Sequence, residues 1–272
     1  MQSDINAALK LLYEILNSQE ISIENKDQIS SQILDLCLRS KGYNNSQNFQ
    51  LSGEEYFFLN ILTKINPKIC LDIGANIGSY SNALLEHTEA TVYAFEPLSD
   101  PFKKLFELKL LFGDRIIPIN KGVSFKDDYL EIHYNRDVTV HASFSKEVQA
   151  VPYLKNDSVE LIEVVSLDSY FEKFDGLVLD FIKIDTEGFE WEVLKGAKNI
   201  LINNMPKIIQ IEFNWHQLFR SHTLYTFSQI LDGYTVYQLL PGGIIKRNPT
   251  DPYVNIFHFS NFIFIRNDLQ LI

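Results

Sequence analysis

Short apolar runs alternate with amphipathic stretches along most of this chain. Ile69, Cys70, Leu71 and Ile73 form the first run; Thr91–Phe95, Ile116–Ile119, Leu177–Ile184 and Ile208–Ile211 follow. Each has the length and continuity of a strand buried on both faces. Between them the pattern predicts helices over Ser79–His87, Asp100–Phe112, with Pro101 in its first turn, and from Trp191 to Asn199-Ile200. Strand and helix in turn imply a mostly parallel, doubly wound α/β sheet with helices on both faces. A further helix is predicted over Thr223–Leu231. Tyr234–Leu240, the turn Pro241-Gly242-Gly243 and Phe262–Ile265 then read as antiparallel closing strands. Tyr129–Tyr134 and Val159–Val165 alternate in the β manner, and Asn135–Asp157 between them shows little periodicity. An irregular segment that long inside a compact domain is usually a functional loop or a disordered one.

The first 66 residues read differently. Ile5, Ala8, Leu9, Leu12, Ile15 and Leu16 make one helical stripe, and Ile29, Ile33, Leu34, Leu36, Cys37 and Leu38 a second that stops at Lys41-Gly42. A polar Asn-rich loop, Gly42–Gln50, precedes a third helix, Glu54–Ile65. The expected organisation is a helical cap or oligomer-facing appendage over 1–66 and a sheet domain over 67–272. Homo-oligomerisation through the N-terminal helices is the partner contact this suggests.

With 272 residues, 46% of them hydrophobic and 13% aromatic, the chain has ample material for a core. A net charge of −11 argues against a dedicated nucleic-acid binder. The start MQSDINAALK has neither the charge nor the apolar core of a signal peptide, and no apolar run approaches the roughly 18 residues that cross a bilayer. Cys37 and Cys70 form no framework and no metal spacing. A cytoplasmic setting is expected.

Candidate chemistry gathers where the predicted strands end, because ligands of open α/β sheets sit outside those carboxyl ends. The first strand runs into Asp72-Ile-Gly74-Ala-Asn76-Ile-Gly78 and then a helix. Glycines at such a turn let backbone approach a ligand, and the helix amides face it. A dinucleotide fingerprint wants Gly-x-Gly, whereas this chain has Asp72-x-Gly74. A carboxylate there suits an ammonium group better than a diphosphate. Glu96 ends the second strand 24 positions after Asp72, in the place where an acid accepts hydrogen bonds from ribose hydroxyls. Ammonium, glycine turn and ribose together describe S-adenosyl-L-methionine. The turn after the third strand, with Gly122 and Val123, is expected over the adenine.

Asp185 and Glu212 end two further strands, and clustered carboxylates repel one another and titrate high enough for one to serve as a base. Asp185 is the first choice for that base, with Glu212 and His216 as rivals or as lining of an acceptor pocket. Lys183, on the same side of its strand as Asp185, reads equally as the structural counter-ion of a half-buried acid. Oxygen ligands for a divalent ion are present, but no fixed ligand spacing emerges, and no metal is predicted.

The motifs LDIGANIGSYS, AFEP, GVSF, IKIDTEGFEWEVLKGA and IIQIE, spread over roughly Cys70 to Glu212, resemble the FkbM-type class I methyltransferases. The resemblance implies a Rossmann-like fold and O-methylation of a hydroxyl on a sugar, glycan or glycosylated natural product, with S-adenosyl-L-methionine as donor. It implies that Asp72, Gly74, Asn76 and Gly78 hold the methionine end, that Glu96 holds the ribose, and that Asp185 with Glu187 faces the transferring methyl. Two alternatives are weighed beside it. A nicotinamide-linked oxidoreductase on a similar sheet is disfavoured by Asp72-x-Gly74. A non-catalytic module keeping the fold is disfavoured by the intact turn and edge acids.

Overall fold

The computed structural model describes residues 2–152, 154–174 and 176–271. Two compact units divide the chain after Asn44. The first carries two helices, Gln2–Asn17 and Ile23–Ser40, the second of them capped by Ser22, whose hydroxyl accepts from the Asn25 amide at 3.2 Å. The helical run from Glu54 belongs to the second unit. It is built as Glu54–Phe57, a π turn Phe58–Leu62, and Thr63–Ile65. Phe57, Phe58, Ile61 and Leu62 are buried in the same core as strand residues Cys70, Val92 and Phe181. The helix that periodicity groups with the N-terminal pair is therefore bound to the sheet by its apolar face.

The strands are β1 Ile69–Ile73, β2 Thr91–Phe95, β3 Ile116–Ile119, β4 Gly122–Val123, β5 Asp128–Tyr134, β6 Ser158–Val165, β7 Phe181–Ile184, β8 Ile208–Phe213, β9 Tyr234–Leu240, β10 Gly243–Lys246 and β11 Ser260–Arg266. Eight of them form one sheet in the order β10-β9-β11-β8-β7-β1-β2-β3. The five from β8 to β3 are parallel; β11 and β9 close the edge antiparallel, as expected, and β10, which follows directly on the turn, extends it. This is the doubly wound, mostly parallel α/β sheet that the alternation predicts. One face packs under the helices Glu54–Ile65 and Ser79–His87. On the other, Tyr93 and Phe95 meet Phe171 and Tyr170 of the short helix Leu167–Phe171.

Three elements depart from the periodicity, each for a local reason. The strand predicted from Leu177 begins only at Phe181, because the Asp180 carboxylate accepts the amides of Lys68 and Ile69 and pairs with Lys207 at 2.7 Å. The helix predicted through Asn199-Ile200 stops at Lys195, and a new one, Lys198–Asn203, starts where Asp168 accepts the amides of Asn199 and Ile200. The alternating runs β5 and β6 do not join the main sheet; with β4 they make a separate three-stranded one, in the order β4-β6-β5. Among the described residues no helix is long and apolar enough to cross a membrane.

Candidate active site

The sheet register sets the floor of the site. Asp72 pairs with Lys183, and Lys183 with Gln210, so three polar side chains lie in one row across β1, β7 and β8. All three are buried. A row of that kind survives only if it is satisfied internally. Ser81 donates to Asp72 Oδ2 at 2.6 Å, Tyr80 donates to Gln210 Oε1 at 2.6 Å, and Gln210 Nε2 donates to Glu54 at 2.9 Å and to Asn261 at 3.1 Å. Lys183 Nζ lies 2.7 Å from Asp185 Oδ2 and 4.7 Å from the centre of the Tyr80 ring. Burial alone would strip Lys183 of its proton, but Asp185, Asp72 and Glu54 around it hold its pKa above the ordinary lysine value.

Asp72 sits where β1 ends. Burial pushes its carboxyl upward while Lys183 and Ser81 pull it back. Its Oδ1 is buried with no partner among the described residues. An orphaned, wholly buried acceptor is costly unless a ligand satisfies it, and an ammonium group does so with charge. The turn beyond it carries left-handed backbone at Gly74 (φ +85°), Asn76 (φ +49°) and Gly78 (φ +88°). Glu96 at the end of β2 accepts the amides of Asn76 and Leu98, each at 2.8 Å, which ties the turn to the second strand. Burial raises its pKa to about 7. Two amides leave that carboxylate with lone pairs to spare for hydroxyl donors. These residues fit the amino end and the ribose of S-adenosylmethionine.

Asp185 and Glu187, past β7, and Glu212, near the end of β8, each bring one oxygen within 4.8 Å of the others. Glu187 stands at φ +53°. Its Oε2 is 2.7 Å from Nδ1 of the buried His216, and its Oε1 is 3.6 Å from Nδ1 of His141. Burial works against its charge, but the two imidazoles hold it below the usual carboxylate range. Glu212 accepts from Asn214 Nδ2 at 2.6 Å; burial, with Asp185 and Glu187 beside it, pushes its pKa well up. Asp185, Glu212 and His216, expected from the sequence, are thus brought together. Gly122 and Val123 lie in the small sheet, where a β-carbon on Gly122 would lie 2.6 Å from Phe144 and 2.8 Å from Val164.

Four contributors lie outside the residues that sequence reasoning singles out. His141 comes from the irregular segment between β5 and β6, in which Tyr153 lies outside the described residues. Its length was the available signal. Glu54, Tyr80 and Ser81 close the polar row from helices, where nothing in the periodicity marks them.

A parallel sheet with a glycine turn, two strand-end acids and an acidic far wall is the arrangement of a nucleoside-cofactor enzyme. Residues 72–234 match the Methyltransferase FkbM domain, and the chain belongs to that family. The matched residues are by family a methyltransferase domain. The chain is 29% identical over 147 residues to the hexuronic acid methyltransferase AglP of Haloferax volcanii, a match covering 52% of this chain and 54% of that protein. The chain thus spans about half the length of this curated relative. Among solved structures, the N-methyltransferase NodS from Bradyrhizobium japonicum WM9 aligns with TM-score 0.44 at 10% identity, over 82% of this chain and 98% of that one. An rRNA methylase from Streptococcus thermophilus aligns with TM-score 0.41 at 11% identity, over 78% and 94%.

Proposed function

We propose that the protein transfers a methyl group from S-adenosylmethionine to a hydroxyl of a sugar or glycan, with hexuronic acids and their conjugates as the first acceptor class to examine. The observation that carries the donor side is the orphaned Oδ1 of Asp72 beside the Gly74–Gly78 turn. The acceptor class is supported by the resemblance to the hexuronic acid methyltransferase. In this reading Asp72, Gly74, Asn76 and Gly78 face the methionine end and Glu96 the ribose. Asp185, Glu212 and His216 line the acceptor side.

The bound donor supplies an electrophilic methyl on a sulfonium. The protein's part is then to position a hydroxyl in line with it and to receive a proton. An acidic edge whose net charge is only partly met by Lys183 suits a cationic donor. The test is S-adenosylhomocysteine release from a panel of free hexuronic acids, nucleotide-linked uronic acids, neutral sugars and glycolipids. Turnover with uronic acids above that with neutral sugars is expected. Binding of NAD without S-adenosylmethionine in calorimetry would remove the reading.

We also propose self-association through the N-terminal unit, supported by the exposed Ile5, Leu9, Leu11, Leu34 and Leu36 of its two helices. A monomeric mass in light scattering at micromolar concentration would oppose it. A cytoplasmic setting is supported by Cys37 and Cys70, both free thiols.

A further inference from the structure

An anionic acceptor meets a difficulty at this edge. Asp185, Glu187 and Glu212 stand together there, and carboxylates brought close repel one another. A uronic acid carries a further carboxylate toward them, so a cation has to receive it. Lys183 is unsuited, because it is buried and its ammonium is held by Asp185. Arg220 is a cation that the fold sets beside the cluster.

Arg220 caps the helix Trp215–Phe219, and its amide donates to the His216 carbonyl at 3.0 Å. Its place beside the acids is set by Gly188, the residue after Glu187. A β-carbon on Gly188 would lie 2.8 Å from Val148 Cγ2, 3.0 Å from the His216 β-carbon and 3.6 Å from Arg220 Cγ. The bare glycine thus lets the stems of Arg220 and His216 and the buried Val148 close over the turn that carries Glu187. The guanidinium lies over the Phe189 ring, 5.8 Å from its centre.

The charge of Arg220 is met in two unlike ways. Its Nη2 lies 2.6 Å from Glu192, which is 13% exposed and fixed on the helix Glu190–Lys195. Its Nη1 lies 3.0 Å from Glu147, which is 56% exposed. Glu147 opens the short helical turn Glu147–Ala150 in the irregular segment between β5 and β6. Five N–H donors thus meet two carboxylate oxygens, and the buried Nε has no hydrogen-bond partner among the described residues. A pair with an exposed side chain contributes little, so a second carboxylate can take the place of Glu147 at small cost. The Glu192 contact meanwhile keeps the fork in position, and that planar fork matches a carboxylate.

We propose that Arg220 binds the carboxylate of a uronic acid acceptor, and that Glu147 holds that carboxylate's place until the acceptor arrives. The inference rests on the acceptor class given above and names the residue that reads it. On binding, the acceptor's carboxylate takes Nη1, Glu147 turns out to solvent, and Glu192 keeps Nη2. The exchange is carboxylate for carboxylate, so the charge around the guanidinium is unchanged and no proton moves. A neutral sugar has no group that can displace Glu147, which makes the preference for uronic acids a property of this pair. Arg220 acts on binding and not on the transfer itself, so its removal should show in KM rather than in kcat.

A uronic acid and its carboxamide, alike in size and unlike in charge, test this as acceptors in S-adenosylhomocysteine release. In Arg220→Gln the KM for the acid should rise about 10- to 100-fold, the range of a charge-assisted contact, with kcat within a few-fold. The preference for acid over amide should fall by a similar factor, and Arg220→Lys should keep part of it. Glu147→Gln should act in the opposite direction: without the internal competitor, the KM for the acid should fall, by about threefold. If the pair only fastens the segment, both variants raise KM for acid and amide alike, and that result overturns the proposal. So does a preference for the acid that survives Arg220→Gln. Should Arg220→Gln fail to fold in thermal denaturation, the sign of the Glu147→Gln change decides alone. A wild-type protein that binds the donor yet leaves every uronic acid untouched would remove the acceptor class, and this inference with it.

Discussion

A β-carbon on Gly74 would lie 1.8 Å from the carbonyl oxygen of Asp185. The turn after β1 and the turn after β7 thus touch through backbone, and the missing side chain is what lets them touch. Sequence reasoning assigns Gly74 to close approach by a cofactor. The contact in the structure is with the neighbouring strand end, and it joins the donor turn to the acid cluster in one rigid edge.

Gly74→Ala is therefore expected to act on the fold. It combines left-handed backbone at φ +85° with a clash against main chain that has nowhere to go. A loss of about 2–4 kcal/mol is expected, the sum of a strained dihedral and an overpacked contact. Urea denaturation checks it, and an unshifted midpoint would show that the two turns separate freely.

Asp72→Ala should leave the protein folded, because Lys183 keeps Asp185 as its partner. It should weaken S-adenosylmethionine binding by about 1.5–3 kcal/mol, the scale of a charge-assisted hydrogen bond. Calorimetry on the folded variant reads this directly. Unchanged affinity would mean that the ammonium group is held elsewhere.

Glu96 imposes a pH dependence whose sign follows from burial. Its folded pKa is about 7 against an ordinary 4.5. The folded state therefore binds the proton more tightly than the unfolded one. The stability it contributes is full below about pH 4.5 and is lost as pH rises through about 7. Over that window the loss approaches about 3 kcal/mol. Glu96→Gln removes it, so denaturation midpoints of variant and wild type should diverge in the variant's favour between pH 5 and 8. Parallel curves would place Glu96 in a more solvated setting.

Much of this edge was legible in the chain because strand ends announce themselves. A buried parallel strand is a continuous apolar run, so the polar residue that stops it, Asp72, Glu96, Asp185 or Glu212, is visible without a structure. Register is not visible. Nothing in the runs says that Asp72, Lys183 and Gln210 fall side by side, since that depends on how far each strand slides past the next. Nor does periodicity place Glu54, which lies 156 positions from the Gln210 it meets. The expectation of an appendage over 1–66, of which 45–66 belong to the second unit, followed the same limit: an amphipathic helix shows which face is apolar, and not what covers it. His141 was hidden for the opposite reason. It lies in a stretch without period, in which Thr139 donates to Asn76, Ser143 donates to the Glu187 carbonyl and Asn156 donates to the His141 carbonyl.

Lys183→Met removes the cation from a row that cannot do without one. The ammonium serves Asp185 at 2.7 Å and lowers the cost of charge on the buried Asp72 and Glu54. Met fills a similar volume and keeps contact with the Tyr80 ring, so packing is roughly conserved and the change is electrostatic. Breaking a buried pair from one side typically costs about 3–5 kcal/mol, because the remaining charge stays buried without compensation. That cost depends on the acids being ionised. As pH falls, Asp72 and Glu54, whose pKa values burial raises, take up protons, and the variant's deficit should shrink. Denaturation of wild type and Lys183→Met at pH 5 and pH 8 should give the larger gap at pH 8. A gap that stays constant, or widens toward acid, would show that Lys183 acts through packing and that another group neutralises the row.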